Sequence, residues 1–314
     1  MKIFRNLISA LTASVMLFTG TLTAGAEEYN GFVYKNLYIQ ELIITDYNGN
    51  AEELEVPYQI NSVRVTTLAD GLFEGSSVKR VTLPDTLVEV SYRCFKGSKV
   101  EYVKIGAEAT IIQEEAFADC SALRRVIFTG HQQLIRADAF RNCTSLLSVR
   151  LPETLYQIGE NAFSGCTSLT KVTIPKHVSI ISQNAFSGCT SLKEVTVLNS
   201  DALILFHALG YDDKGNKTDG FTIVCTKGSS AEKYAIDNGF NYKYNDIGDV
   251  NEDGKITADD AVITARMAAG YGDYIRKYSV RAADIDRNGK VAADDAVIIA
   301  RIAAGLESYQ KYIG

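Results

Sequence analysis

Oxygen-bearing side chains recur at fixed spacing in two short segments near the C-terminus. Residues 249–260 place side-chain oxygens at positions 1, 3, 5 and 12 of a loop, with glycine at position 6. Residues 284–295 repeat this pattern 35 residues later, and each loop has three carboxylates at ligand positions. In a loop of this type alternate residues point oxygens inward, glycine makes the sharp turn and position 7 offers its carbonyl. The sequence therefore predicts two calcium sites.

An apolar segment follows each loop and is expected to position it. Residues 261–269 and 296–304 are rich in alanine, valine and isoleucine, and each segment stops at a glycine, Gly270 or Gly305. This pattern predicts a helix with a glycine stop after each loop. Position 12 is aspartate rather than the glutamate usual in EF-hands, and no helix is predicted to lead into either loop.

With these loops and helices, residues 246–314 resemble a type I dockerin, the duplicated module that attaches subunits of a polysaccharide-degrading cellulosome to cohesins on a scaffoldin. The resemblance implies two calcium ions and a cohesin partner. The implied ligands of the first ion are Asp249, Asn251, Asp253, the Lys255 carbonyl, Thr257 and Asp260. Those of the second are Asp284, Asp286, Asn288, the Lys290 carbonyl and Asp295, with water expected in place of a side chain at Ala292.

Cohesin contact in this family comes from loop positions 10 and 11 and from the exposed face of the following helix. The corresponding residues are Ala258, Asp259, Ala265 and Arg266 in the first half, and Ala293, Asp294, Ala300 and Arg301 in the second. The Ser/Thr pair known at positions 10 and 11 is absent, which leaves the cohesin type open. Because the halves are nearly identical, we expect two docking orientations.

A repeat occupies the middle of the chain. Phenylalanines recur at intervals of 22, 22, 23, 23 and 23 residues, at Phe73, Phe95, Phe117, Phe140, Phe163 and Phe186. Each is followed by a short alternating stretch, in several copies closed by proline, which predicts one short strand per repeat. The predicted strands are residues 81–83, 103–105, 126–128, 149–151, 172–174 and 195–197. Such units bury their apolar residues only by stacking, so we expect a solenoid.

These repeats resemble the BspA-type leucine-rich repeats of bacterial surface and secreted proteins, over residues 38–244. The resemblance implies adhesion or protein contact and leaves the ligand open. We therefore expect an α+β chain with a signal peptide at 1–26, a capped leucine-rich-repeat solenoid at 27–244 and a small helical dockerin at 245–314.

The N-terminus has the pattern of a signal peptide. Lys2 and Arg5 precede an apolar run at residues 7–18, and the small residues Ala24 and Ala26 follow. We expect cleavage after Ala26, secretion, and attachment to a cellulosome or cell surface through a scaffoldin. The run is shorter than the roughly 20 residues that span a bilayer. The net charge of −6, without clustered lysine and arginine, argues against a nucleic-acid partner.

Four cysteines share one place in the repeat. Cys120, Cys143, Cys166 and Cys189 each follow the repeat phenylalanine by three residues, so they should form a row along the solenoid. A row cannot supply four ligands converging on zinc. We expect buried thiols that fill space, although secretion would permit disulfides.

Basic residues flank the inward valines of the predicted strands, namely Arg80, Lys104, Arg125, Arg150 and Lys171. They should lie on the outer face of the strands. Two interpretations remain open: an ordinary solvated face, or a surface for an acidic partner such as a polyuronate or an acidic protein.

Nothing in the sequence matches a catalytic pattern. The three histidines have no accompanying nucleophile, and repeats and loops claim nearly every residue after the signal peptide. We therefore expect a non-enzymatic protein whose repeats contact a protein or carbohydrate; the alternative is an enzyme or enzyme inhibitor acting through the solenoid surface. The chain has no tryptophan for sugar stacking. The tyrosines clustered near the N-terminus are expected to cap the solenoid; they are Tyr29, Tyr34, Tyr38, Tyr47 and Tyr58.

Overall fold

The computed structural model describes residues 26–38, 40–245, 247–251, 255–278, 280–286, 288–306 and 309. The predicted signal peptide, apart from Ala26, and the candidate ligand Asp253 lie outside these residues. The strands are β1 (Glu27–Tyr29), β2 (Phe32–Tyr38), β3 (Glu41–Tyr47), β4 (Glu53–Glu55), β5 (Gln59–Ile60), β6 (Val63–Leu68), β7 (Arg80–Thr82), β8 (Glu89–Val90), β9 (Tyr102–Ile105), β10 (Ile111–Ile112), β11 (Arg125–Phe128), β12 (Leu134–Ile135), β13 (Gln157–Ile158), β14 (Lys171–Ile174), β15 (Ile180–Ile181), β16 (Glu194–Val197), β17 (Leu203–Ile204), β18 (Thr222–Cys225) and β19 (Asn241–Tyr244). The helices are α1 (Ser230–Asn238), α2 (Ala258–Ala268), α3 (Gly272–Lys277), α4 (Val280–Ala283) and α5 (Ala293–Ala303).

The repeat segment forms a solenoid of about nine coils with one strand per about 23 residues. The strands pair in parallel, in the orders β4-β7-β9-β11 and β14-β16-β18-β19. A second parallel sheet of two-residue strands, in the order β8-β10-β12-β13-β15-β17, runs along another side of the coils. Identical repeat positions lie opposite one another, as in Val126 beside Val103. The predicted solenoid is confirmed.

The repeat motif owes its residue types to two left-handed backbone positions per coil. In one copy these are Asn161, with φ 52°, and Gly165, with φ 73°. Glycine and asparagine adopt this conformation with the least strain. The turn between them aims backbone N–H groups at the next coil: Phe163 donates to the Ala185 carbonyl at 2.8 Å, and Gly165 donates to the Ser187 carbonyl at 2.8 Å. These bonds fix the spacing between coils.

Stacked phenylalanines form the centre of the core. We call this set the phenylalanine column: Phe73, Phe95, Phe117, Phe140, Phe163 and Phe186, all fully buried. Successive ring centroids lie 5.0–5.1 Å apart. At the N-terminal end the Tyr47 ring lies 5.9 Å from Phe73, in a five-stranded sheet with the order β1-β2-β3-β6-β5. That sheet and α1 with β19 therefore close the two ends of the solenoid.

One predicted strand does not form. Residues 149–151 have no strand structure, and the parallel ladder is divided between β11 and β14. Val149 and Leu151 are still buried, so the inward alternation was predicted correctly. If residues 149–151 paired in the register of the other coils, Arg150 would lie diagonal to Arg125 on one side and to Lys171 on the other. Arg125 and Lys104 have the same diagonal arrangement in the paired strands β9 and β11, so charge alone does not account for the break.

The thiols of the cysteine row donate hydrogen bonds to backbone carbonyls. All six cysteines of the chain lie in the described part, where each is buried and free. The repeat thiols donate to the phenylalanine carbonyl of the preceding coil, as in Cys143 Sγ to Phe117 at 3.2 Å and Cys166 Sγ to Phe140 at 3.2 Å. Burial raises the pKa of the Cys120 thiol to about 11. The thiols therefore stay protonated, which opposes the thiolate chemistry that metals and oxidants need.

The C-terminal segment has a core of its own, in which α2 packs against α5 through Ile263, Met267, Ile299 and Ile302. Both helices begin three residues earlier than predicted and end one residue earlier. The expectation that no helix leads into a loop is wrong for the second loop, which α4 precedes directly. The reason is local packing, because Ala282 and Ala283 are buried in this core. Among the described residues, no helix has the length and apolar character to cross a bilayer.

Candidate metal centre and interaction surfaces

Three carboxylates of the second loop converge. One oxygen from each of Asp284, Asp286 and Asp295 lies within 4.8 Å of the others. That separation is roughly twice a Ca–O distance of about 2.4 Å, so one calcium ion can contact all three groups. Asp295 is fully buried, Asp284 is half-buried and Asp286 is exposed. An all-oxygen set of this kind fits calcium better than a softer metal.

Backbone amides hold the first half of this loop in shape. The Asp284 carboxylate accepts from Asn288 N at 3.1 Å and from Gly289 N at 2.9 Å. The Asp286 carboxylate accepts from the Asn288 side chain at 2.8 Å, and the Asn288 side-chain oxygen accepts from Lys290 N at 2.9 Å. The loop is therefore wound around the oxygens at positions 1, 3 and 5.

The position 12 aspartate ties each helix to its own loop. Asp295 accepts from Ile285 N at 3.0 Å and from Ala292 N at 2.8 Å. In the first half Asp260 accepts from Val250 N at 2.8 Å and from Thr257 N at 2.8 Å. Burial raises the pKa of the Asp295 carboxyl, although the amides oppose this shift. A nearby cation would favour the charged form.

The first loop is described in part. Asp249, Asn251 and Lys255 are in the described residues, whereas Asp253 is not. The Thr257 hydroxyl donates to the Asp260 carboxylate at 3.1 Å and accepts from Asp259 N at 3.3 Å. This is a capping box at the start of α2. Both halves thus share the same arrangement around position 12, and the assignment of each ligand stays a prediction.

The residues expected to meet cohesin lie on the surface. Ala258, Asp259, Ala265 and Arg266 are exposed along α2. The second-half residues are also exposed along α5, namely Ala293, Asp294, Ala300 and Arg301. Sequence reasoning missed one residue of each face: Val262 and Val297 are 47% and 46% exposed. Helical spacing from Ala258 to Val262 and Ala265 was the signal that could have found them.

An arginine on each helix rests on a tyrosine. The Arg266 guanidinium lies 5.0 Å from the Tyr274 ring centroid, and the Arg301 guanidinium lies 4.8 Å from that of Tyr309. Each arginine also donates to the hydroxyl of its tyrosine. Because these contacts fix both arginines, the two halves present the same exposed valine, alanine and arginine.

Of the five basic residues predicted on the outer strand face, four lie in strands, and Arg150 lies at the break in the ladder. Arg80 and Arg125 are both in register with Tyr102, while Lys104 is opposite Ile127 in the adjoining row. Two of the five are ion-paired: Arg80 with Glu53 at 3.3 Å and Lys171 with Glu194 at 2.8 Å.

The two other arginines, Arg125 and Arg150, lie at the break in the strand ladder between β11 and β14. Arg125 and Arg150 line a cleft of about 600 Å³ together with His131, Ser148 and Glu153. Neither arginine forms an ion pair with another residue of the described ranges. Two of the five basic residues therefore share this cleft without an ion pair in the described ranges, and Glu153 is the acidic residue of its lining.

Two family models match the chain. The BspA type leucine rich repeat region matches in six copies, over residues 47–167 and 125–209. The dockerin type I domain matches residues 247–302. No curated protein matches.

Several solved structures are similar at low identity. A leucine-rich repeat protein of T. pallidum is 22% identical, covering 70% of this chain and 98% of its own, with a TM-score of 0.40. One from Bacteroides ovatus is 16% identical, covering 70% and 76%, with a TM-score of 0.37. Pneumococcal vaccine antigen PcpA is 11% identical, covering 70% and 98%, with a TM-score of 0.27.

Proposed function

Because the chain belongs to the BspA-type leucine-rich repeat proteins and carries a type I dockerin domain, we propose that it is a secreted, non-catalytic cellulosome subunit. In this proposal residues 245–314 bind a cohesin on a scaffoldin in a calcium-dependent way. The capped repeats, residues 27–244, contact a protein or a carbohydrate of the cell surface. Residues 1–26 are the signal peptide that directs export.

The convergence of Asp284, Asp286 and Asp295 carries this proposal. A type I dockerin is a calcium-binding module, and three carboxylates this close repel one another unless a cation lies between them. The equivalent hydrogen bonds at Asp260 support a second ion in the first loop. Calcium would supply the charge that holds each loop against its helix, and the chain's own residues supply the docking face.

Two docking orientations are expected, because the exposed faces of α2 and α5 are equivalent. We predict that Ala265→Arg alone, or Ala300→Arg alone, weakens cohesin affinity by about twofold, since one of two binding modes remains. The double variant should lose at least about 100-fold, because a bulky charge then obstructs both faces. Calorimetry of the full chain with a panel of recombinant type I cohesin modules, in calcium, measures these affinities.

The matched control for this prediction is Val280→Arg, which adds the same side chain at an exposed residue of α4. It should bind cohesin as the unmodified chain does. A single variant that abolishes binding while the other has no effect would show that only one half docks. Failure of every cohesin to bind the unmodified chain would overturn the proposed function itself.

The cleft at Arg125 and Arg150 is proposed as a site for an acidic partner. We predict that the double variant Arg125→Glu and Arg150→Glu loses binding to polygalacturonate, because attraction becomes repulsion and the effect grows at low salt. Arg124→Glu is the matched control, since Arg124 is exposed and does not line the cleft. Affinity electrophoresis in polygalacturonate gels compares the three chains; equal retardation of all three would contradict the prediction.

A further inference from the structure

One phenylalanine breaks the pattern of the solenoid. Phe206 is 65% exposed, whereas every other phenylalanine of the described residues is buried or half-buried. Counting 23 residues from Phe186 gives Leu209, which is fully buried and takes the place of a column phenylalanine. Phe206 therefore does not belong to the core, and its exposure needs another explanation.

The coil that carries Phe206 also contains an insertion. Strand β16 follows β14 by 23 residues in register, whereas β18 follows β16 by 28, from Glu194 to Thr222. The additional residues include a tight turn in which Asp212 accepts from Lys214 N at 2.9 Å and from Asn216 N at 2.7 Å. These hydrogen bonds hold the inserted residues in a defined turn.

The Phe206 ring is supported from behind. Its centroid lies 3.6 Å from the His207 ring, which lies 4.0 Å from the Tyr211 ring. Tyr211 is anchored in turn, because its hydroxyl donates to the Asn238 side chain at 2.7 Å and its ring packs against Phe240. A flat apolar surface is thereby held rigidly at the protein surface.

Polar groups surround this ring. Phe206 borders a cleft of about 340 Å³ whose lining includes Gln183, Asn184 and Asp213. Within the described ranges, these three side chains form no hydrogen bond with another protein group. The cleft therefore combines one rigid aromatic face with unused amide and carboxylate groups.

We infer that this cleft binds hexopyranose residues of a polysaccharide. The C–H face of a pyranose packs on the negative face of an aromatic ring, while its hydroxyls both donate and accept, as amides and carboxylates require. The volume falls in the range of about 300–1,000 Å³ typical of small-ligand sites. Leu203 and Leu205, just before Phe206, are also exposed, so binding of a protein instead of a sugar is the alternative outcome that the experiment must separate.

Calorimetry of the full chain with cellohexaose, mannohexaose and chitohexaose tests the inference and separates plant-type from N-acetylated glycans. At least one sugar should bind, and Phe206→Ala should weaken it by about tenfold or more. Phe206→Trp should preserve binding, and Asp213→Ala should weaken it. Tyr92→Ala is the control, because Tyr92 has the equivalent repeat position, is 38% exposed and does not line this cleft.

Binding of no oligosaccharide by the unmodified chain would overturn the inference. Undiminished binding by Phe206→Ala, or equal loss in Tyr92→Ala, would place the sugar elsewhere and also overturn it. Capture of a protein through Phe206 without any sugar binding would also overturn the inference and identify a different class of ligand. Calcium-dependent cohesin affinity, measured on the same variants, should not change, so this test is independent of the dockerin.

Discussion

Chelation of calcium with EDTA is expected to unfold the C-terminal segment while the solenoid stays folded. Asp284, Asp286 and Asp295 hold three carboxylates within 4.8 Å, and without a cation their repulsion opposes the loop. The core between α2 and α5 is small, so metal binding and folding should be coupled. Hydrogen exchange followed by mass spectrometry on the full chain should show loss of protection at residues 258–303 and unchanged protection in the coils.

A single ligand substitution sharpens this expectation. Asp284→Asn removes one of the three converging charges and should weaken calcium binding to that loop by at least about tenfold. Asp294→Asn is its matched control, because Asp294 is an exposed carboxylate of the same loop that is not in the converging group. Equal calcium affinity in the two variants, or a segment equally protected in EDTA, would contradict the assignment of the site.

The sequence was sufficient to predict that the carboxylates of Asp284, Asp286 and Asp295 converge, because these residues are close together in the chain. Positions 1, 3, 5 and 12 are brought together by one turn and by the first turn of a helix, so spacing alone determines their meeting. It did not predict the hydrogen bonds that Asp260 and Asp295 accept from their loops, nor the helix α4. The latter depends on Ala282 and Ala283 packing into a core formed by distant residues.

The solenoid was predictable for the same reason, although the prediction failed for one strand, residues 149–151. The regular spacing of phenylalanines determines the column, since each coil repeats the one before it. The break at residues 149–151 could not be predicted from the alternation, because Val149 and Leu151 are buried as in a strand although no strand forms there. Phe206 was overlooked because residue type alone does not separate a core ring from an exposed one. Its displacement from the repeat register was the available signal.

Phe140→Ala is expected to lower the free energy of unfolding of the solenoid by about 3–5 kcal/mol, the usual cost of removing a buried phenylalanine. Phe140 is fully buried, and its ring stacks 5.1 Å from Phe117 and 5.1 Å from Phe163. Urea unfolding followed by circular dichroism, in saturating calcium so that the C-terminal segment does not contribute a separate change, measures the difference.

The position of Phe140 should add a second effect, because a solenoid is held together by contacts between adjacent coils. A cavity at an end would affect one interface, whereas this one weakens two and separates the array into halves of unequal stability. We therefore expect a broader urea transition with a lower apparent m-value. Phe206→Ala removes the same atoms from the surface and should shift stability by no more than about 0.5 kcal/mol. Similar losses in the two variants would show that ring burial in the column does not determine the stability of the coils.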